Sequence, residues 1–170
     1  KPDDLFQFML LPAVARKKYK HLIELQKDFE QESKSSPFNS CDFSGSDKSL
    51  GIVATGLAYN YLREAYQGKP IPHPVVKICQ YPLPVKELRE LYDSCDSLLV
   101  LEEGMPLVED MLKGLARKGS KPIKGRLDGS IQRDGELNPN KVAQALGLPD
   151  TMGQPIPEVV SPRPPALCVG

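Results

Sequence analysis

The sequence has no charge of one sign to spare. Its 22 Lys and Arg are balanced by 22 Asp and Glu, so the formal charge is zero and the isoelectric point is about 6.9. A domain that holds a nucleic-acid backbone, or lies on an anionic membrane, carries a basic surplus, so both partners are excluded. Nor does any apolar run approach the roughly 18 residues that a transmembrane helix requires. No signal peptide is visible, and Lys1-Pro2-Asp3 opens the chain without an initiator Met, as expected of a piece taken from inside a longer polypeptide. Four cysteines stand at 41, 79, 95 and 168 with no C-x-x-C pair, so neither a zinc knuckle nor a redox dithiol is announced. Reduced thiols and a cytoplasmic setting follow.

What is present begins with proline. Seventeen of 170 residues are proline, about twice the usual share of roughly 5%. They punctuate rather than interrupt: the stretches between Pro12 and Pro37, Pro37 and Pro70, Pro84 and Pro106, and Pro106 and Pro122 hold the helical patterns. Residues 13–33 read as one amphipathic helix, with Val14, Leu22, Leu25 and Phe29 on one face. Polar residues 33–48 read as a linker or an extended crossing between two bodies. From residue 51 a rhythm sets in, with apolar β-leaning runs opening at 51, 75, 98 and, more weakly, 122. Helical stretches at 57–67, 85–94 and 107–118 separate them. A strand, helix and loop repeating about every 24 residues is the βαβ crossover, and continuous apolar strands mark a parallel sheet buried on both faces. The expected fold is therefore a three-layer α/β/α domain with a mostly parallel sheet over 50–150. A last helix follows, with Asn138 as N-cap, Pro139 at its first position and Gly147 just past its end. Five prolines between 155 and 165 form an extended strap.

Candidate chemistry is sparse. Gly51 and Gly56 have the glycine spacing of a phosphate loop, but Leu57-Ala58 stand where Lys and Ser or Thr belong. A tight strand-to-helix turn explains them better. Glu102-Glu103 lie at the carboxyl end of the third strand, where open α/β sheets bind ligands. Neighbours on a strand point to opposite faces, and a carboxylate before a helix also suits the helix dipole. Arg16, Lys17, Lys18 and Lys20 read as a solvated face, and His21 and His73 as structural. No catalytic residue emerges. Gly56, Tyr81 and Glu102 are the weak rim candidates, and they support one alternative: a stand-alone module binding a nucleotide or coenzyme A.

Seven ordered blocks carry a resemblance. They are Leu11-Pro-Ala-Val-Ala-Arg16, Ser36-Pro-Phe-Asn39, Gly51-Ile-Val-Ala-Thr-Gly-Leu-Ala-Tyr59, Tyr81-Pro-Leu-Pro84, Val100-Leu-Glu-Glu103, Gly135-Glu-Leu137 and Arg163-Pro-Pro-Ala-Leu-Cys168. Together they resemble the large (alpha) subunit of indolepyruvate:ferredoxin oxidoreductase, one of the thiamine-diphosphate-dependent 2-oxoacid:ferredoxin oxidoreductases. The resemblance implies a middle fragment: residues 1–35 as the helical exit of a pyrimidine-binding domain, 36–49 as a linker, 50–150 as a domain like the C-terminal domain of transketolase, and 151–170 as a linker into a pyrophosphate-binding domain. It implies an enzyme that converts arylpyruvates, coenzyme A and oxidised ferredoxin into aryl-acetyl coenzyme A, carbon dioxide and reduced ferredoxin. Thiamine diphosphate, Mg2+ and iron–sulfur clusters would be its cofactors, and a beta subunit and ferredoxin its partners. The G-D-G motif for magnesium and pyrophosphate and a ferredoxin-type cysteine run are missing here, so the isolated piece is expected to bind no cofactor and to be inactive. Family members continue beyond this point with a further Cys, and Val169 replaces their usual proline. Cys168 would be half of a cluster-ligating pair in the full-length protein.

Overall fold

The computed structural model describes residues 3–6, 8, 9, 11–116 and 121–150. Helix α1 runs over Pro12–Ser35, followed by strand β1 at Ser40–Asp42. The alternating part then comprises β2 (Gly51–Thr55), α2 (Ala58–Ala65), β3 (Val75–Ile78), α3 (Val85–Ser94), β4 (Leu98–Leu101), α4 (Leu107–Leu115), β5 (Ile123–Lys124) and α5 (Pro139–Ala145). The five strands form one sheet in the order β1-β3-β2-β4-β5, parallel except where β1 pairs antiparallel with β3. The three-layer α/β architecture is as expected.

Alternation along the strands builds the layers, because successive side chains leave a strand on opposite faces. Ile52 and Ala54 of β2 point with Val75, Leu99 and Leu101 toward Leu62 of α2 and Val142 of α5. Val53 points the other way, with Val76, Ile78, Leu98 and Val100, toward Leu88 and Leu91 of α3 and Leu112 of α4. Strands buried on both sides are apolar at nearly every position, which is why they read as apolar runs with only the half-buried Thr55 and Lys77 as polar members. Each such side chain contributes on the order of 1.5–3 kcal/mol of burial. Gly51 is required by this packing, since a Cβ there would meet the side chains of Leu98, Leu91 and Cys95 within 3.0 Å.

Two elements differ from expectation. The stretch 36–49 carries β1, a strand with three exposed residues and hence no apolar period to betray it. The run at 122–127 yields only two strand residues, because Gly125 onward turns away: Asp128 Oδ1 accepts the Gly125 and Ser130 amides at 2.9 and 3.0 Å. The second and fourth helices are also shorter than their patterns, α2 by a turn and α4 ending at Leu115. Helix α5 begins as read, with Asn138 Oδ1 accepting the Lys141 amide at 3.0 Å and Gly147 at positive φ beyond its end. Asn138→Ala is expected to cost about 1 kcal/mol of stability in a urea titration, the usual value of a lost N-cap.

Helix α1 lies outside the three layers, and Ser33 is its one buried residue. Val14, Leu25 and Phe29 of the expected apolar face are half-buried, whereas Leu22 and Ile23 are exposed. No helix among the described residues is long and apolar enough to cross a membrane. The proline strap lies outside the described residues.

Candidate functional site

Parallel strands that share a direction bring their carboxyl ends to one edge, where open α/β sheets carry ligand sites. Register aligns Ala54 with Leu101 and Thr55 with Ile78, so Gly56, Glu102 and the turn carrying Tyr81 all arrive there. The structure thus brings the three rim candidates to the same end of the sheet; Cys168 lies outside the described residues.

Their side chains and backbone are largely engaged. Gly56 adopts φ +49° with open space around a notional Cβ, a conformation that favours glycine. Its amide is not free to meet a phosphate, because it donates to the Ile78 carbonyl at 2.8 Å. Glu102 is buried, and its two carboxylate oxygens accept the amides of Val108 and Glu109 at 2.9 and 3.0 Å. These are orphan donors of the first turn of α4, so Glu102 caps that helix across the Gly104 turn. Burial pushes its carboxyl above the ordinary range, the amides of Glu109 and Val108 pull it back, and the nearby Glu109 charge raises it again. Glu103 points elsewhere, is exposed, and accepts the Leu137 amide at 3.4 Å. The two carboxylates therefore do not converge on one substrate.

Tyr81 is the exposed member of the group. Partial burial, then the Glu102 charge, hold its phenol above the usual range. It follows a knot that the sequence did not reveal. Asn39 Nδ2 donates to the Ser33 carbonyl, the Ser33 hydroxyl and the Gln80 carbonyl at 3.0–3.1 Å. Asn39 Oδ1 accepts the Cys79 and Gln80 amides at 2.7 and 2.9 Å, and Ser33 Oγ donates to the Gln80 and Pro82 carbonyls. One side chain thus joins the end of α1, the start of β1 and the end of β3.

A second unread cluster lies beside Glu102. Glu109 is 0% exposed, accepts the Leu127 amide at 3.0 and 3.2 Å and pairs with Lys113 at 2.9 Å. Arg126, also buried, donates to the carbonyls of Glu102, Gln132, Arg133 and Gly135. Both residues sew the loop after β5 to β4 and α4. A Cβ at Gly125 would fall on the Glu109 carboxylate, so glycine there leaves the acid its place.

The basic run of α1 is exposed, and Lys18 Nζ donates to the Phe6 carbonyl at 3.0 Å. His73 Nδ1 lies 3.2 Å from the Asp47 carbonyl, while His21 and Glu24 form an exposed pair at 3.8 Å. The described residues do not fit a magnesium–pyrophosphate group or a cluster: no three metal-ligating side chains gather among them, and the Gly56 amide is already held. What the strand ends can do chemically is fix loops and present Tyr81.

No protein-family profile matches this chain. Curated relatives do. It is 30% identical over 172 residues to the indolepyruvate oxidoreductase subunit IorA of Methanothermobacter thermautotrophicus, covering 96% of this chain and 28% of that subunit. The IorA subunit of Pyrococcus abyssi is 30% identical over 180 residues, covering 95% and 27%, and that of Methanothermobacter marburgensis 31% over 172 residues, covering 96% and 28%. The chain spans between a quarter and a third of the length of these relatives, and along nearly all of its own length it belongs with the indolepyruvate oxidoreductase subunits IorA.

Proposed function

We propose that the chain is the interdomain piece of an arylpyruvate:ferredoxin oxidoreductase large subunit, with 50–150 as its transketolase C-terminal-like domain. Residues 1–35 lead out of a pyrimidine-binding domain, 36–49 link, and 151–170 lead into a pyrophosphate-binding domain. The whole enzyme would oxidatively decarboxylate indolepyruvate and similar 2-oxoacids, with coenzyme A as acyl acceptor and ferredoxin as electron acceptor, alongside a beta subunit. Thiamine diphosphate, when bound elsewhere in such an enzyme, supplies the carbanion chemistry. This chain's own residues contribute position.

One observation carries the reading. At the sheet edge where a ligand site belongs, the buried groups Glu102, Glu109 and Arg126 turn their polar atoms to their own backbone and to Lys113. A site built to bind a phosphate or a keto acid leaves donors aimed outward. The same arrangement weighs against the stand-alone nucleotide or coenzyme A module.

The test is in two parts. Calorimetric titration of the chain with thiamine diphosphate and Mg2+, and separately with coenzyme A, is expected to show no binding; a dissociation constant in the micromolar range for either would sink the proposal. A chimaera of the Pyrococcus abyssi IorA subunit, with this chain in place of the matching segment, is expected to retain indolepyruvate oxidation. A folded, assembled but inactive chimaera would count against a purely positioning role.

A further inference from the structure

Away from the strand ends, a groove of about 780 Å3 runs between α1, the start of α3 and α4. Its floor is apolar, with Leu83, Met111 and Leu115. Its walls are cationic. Lys27 and Lys34 stand on α1 and Lys86 and Arg89 on α3, against the one carboxylate of Glu30. In a chain whose formal charge is zero, that surplus is local to the groove. None of the four cations takes part in an ion pair among the described residues.

The α1 wall is regular. Lys27, Glu30, Gln31 and Lys34 are spaced i, i+3, i+4 and i+7, one face of a helix. At 1.5 Å per residue, Lys27 and Lys34 are about 10 Å apart along α1. A single carboxylate or phosphate does not span that distance; two turns of another helix do. Gly114, the second-last residue of α4, also lines the groove, and a Cβ there would meet nothing within 4 Å. Alanine is the better helix former even in a last turn. Packing among the described residues does not call for glycine, and its bare backbone leaves room for a second backbone to approach closely.

We propose that this groove is a docking site for an acidic amphipathic helix carried by a partner protein. Its leucine-type face would lie on Leu83, Met111 and Leu115, its border carboxylates would meet Lys27, Lys34, Lys86 and Arg89, and its backbone would pass over Gly114. This is helix-in-groove recognition, with apolar anchors for affinity and complementary charge for selection. The proposal goes beyond the reading above and does not depend on the oxidoreductase assignment.

The probe is a synthetic helical peptide of about 18 residues, with Leu at i, i+3, i+4 and i+7 and Glu along both borders; its counterpart carries Lys for every Glu. Fluorescence anisotropy with the intact chain is expected to show saturable binding of the acidic peptide, weakening with added salt, and none of the basic one. The double variant Lys86→Glu with Arg89→Glu should weaken binding by about tenfold or more. Gly114→Ala should weaken it by about fivefold while leaving the melting temperature unchanged or higher, since alanine is the better helix former. That combination separates docking from folding. Equal binding of both peptides, no saturable binding of the acidic one, or unchanged affinity in the variants would overturn the proposal. Saturable ATP binding lost in the double variant would make the groove a small-polyanion site and would overturn it too.

Discussion

Glu109→Ala is expected to lower the unfolding free energy by about 3 kcal/mol, among the largest losses a single side chain here can cause. The acid is fully enclosed at the seam between α4 and the loop after β5. Its removal strands the Leu127 amide, which donates to both carboxylate oxygens, and breaks the pair with Lys113. A hydrogen bond to a buried charged acceptor is worth roughly 1.5–3 kcal/mol, and the vacated volume adds a cavity cost. Lys113 is more than a third exposed, so it turns to solvent and its loss adds little. Glu109→Gln keeps an acceptor and the volume while losing the charge, and should cost about half as much.

Arg126→Met is the companion variant. It leaves the Glu102, Gln132, Arg133 and Gly135 carbonyls without their donor, for about 2–4 kcal/mol. Since both residues hold the same loop, the double variant should lose less than the sum of the singles. Urea midpoints of the four proteins measure this directly. Additive losses would mean that the two residues hold separate pieces, and a Glu109→Ala loss below about 1 kcal/mol would mean that water already reaches the seam.

The fold was readable where burial acts on consecutive residues. Strands β2, β3 and β4 lie in the middle of the sheet, so apart from the half-buried Thr55 and Lys77 every position is apolar or glycine and the runs at 51, 75 and 98 stand out. Helix α3 matches its pattern from Val85 to Ser94 because Pro84 and the lone buried face of Leu88 and Leu91 bound it. Edge elements left no such trace: β1 is polar and exposed, and β5 is two residues long. The site was readable only as far as strand ends predict position. Gly56, Tyr81 and Glu102 arrive together because parallel register aligns them, and the adjacency of Glu102 to a helix start was itself the signal of its capping role. Arg126 gave no signal, since an arginine in a short polar loop looks solvated until the loop folds over it. Asn39 gave none either, as its partners at Cys79 and Gln80 lie some 40 residues away.

Asn39→Ala is the second large effect, expected at about 2–3 kcal/mol, because one side chain beside β1 ties α1 to the end of β3, with two amides on its Oδ1 and its two N–H groups shared among three acceptors. The choice of amide matters. Oδ1 accepts two amides at the end of β3 while Nδ2 donates to two carbonyls and a hydroxyl, and asparagine is the short side chain that does both. Asn39→Asp keeps the acceptor but sets a carboxylate oxygen against the Ser33 and Gln80 carbonyls, so it should be nearly as damaging as alanine despite its shape. Ser33→Ala removes the hydroxyl bridge to Gln80 and Pro82 and one of the acceptors of Asn39 Nδ2, which keeps the Ser33 and Gln80 carbonyls, and should cost about 1 kcal/mol. The effect is also local. Ser33 is the only buried residue of α1, so without Asn39 the helix loses its main attachment to the three layers and opens below the global unfolding energy. Hydrogen exchange should then accelerate at the Cys79 and Gln80 amides and at the carboxyl end of α1, with Val53 and Val100 in the sheet centre still protected. Uniform acceleration across the sheet would mean that Asn39 holds the whole domain together. Unchanged exchange at α1 would mean that the helix is anchored through its half-buried Leu25 and Phe29 instead.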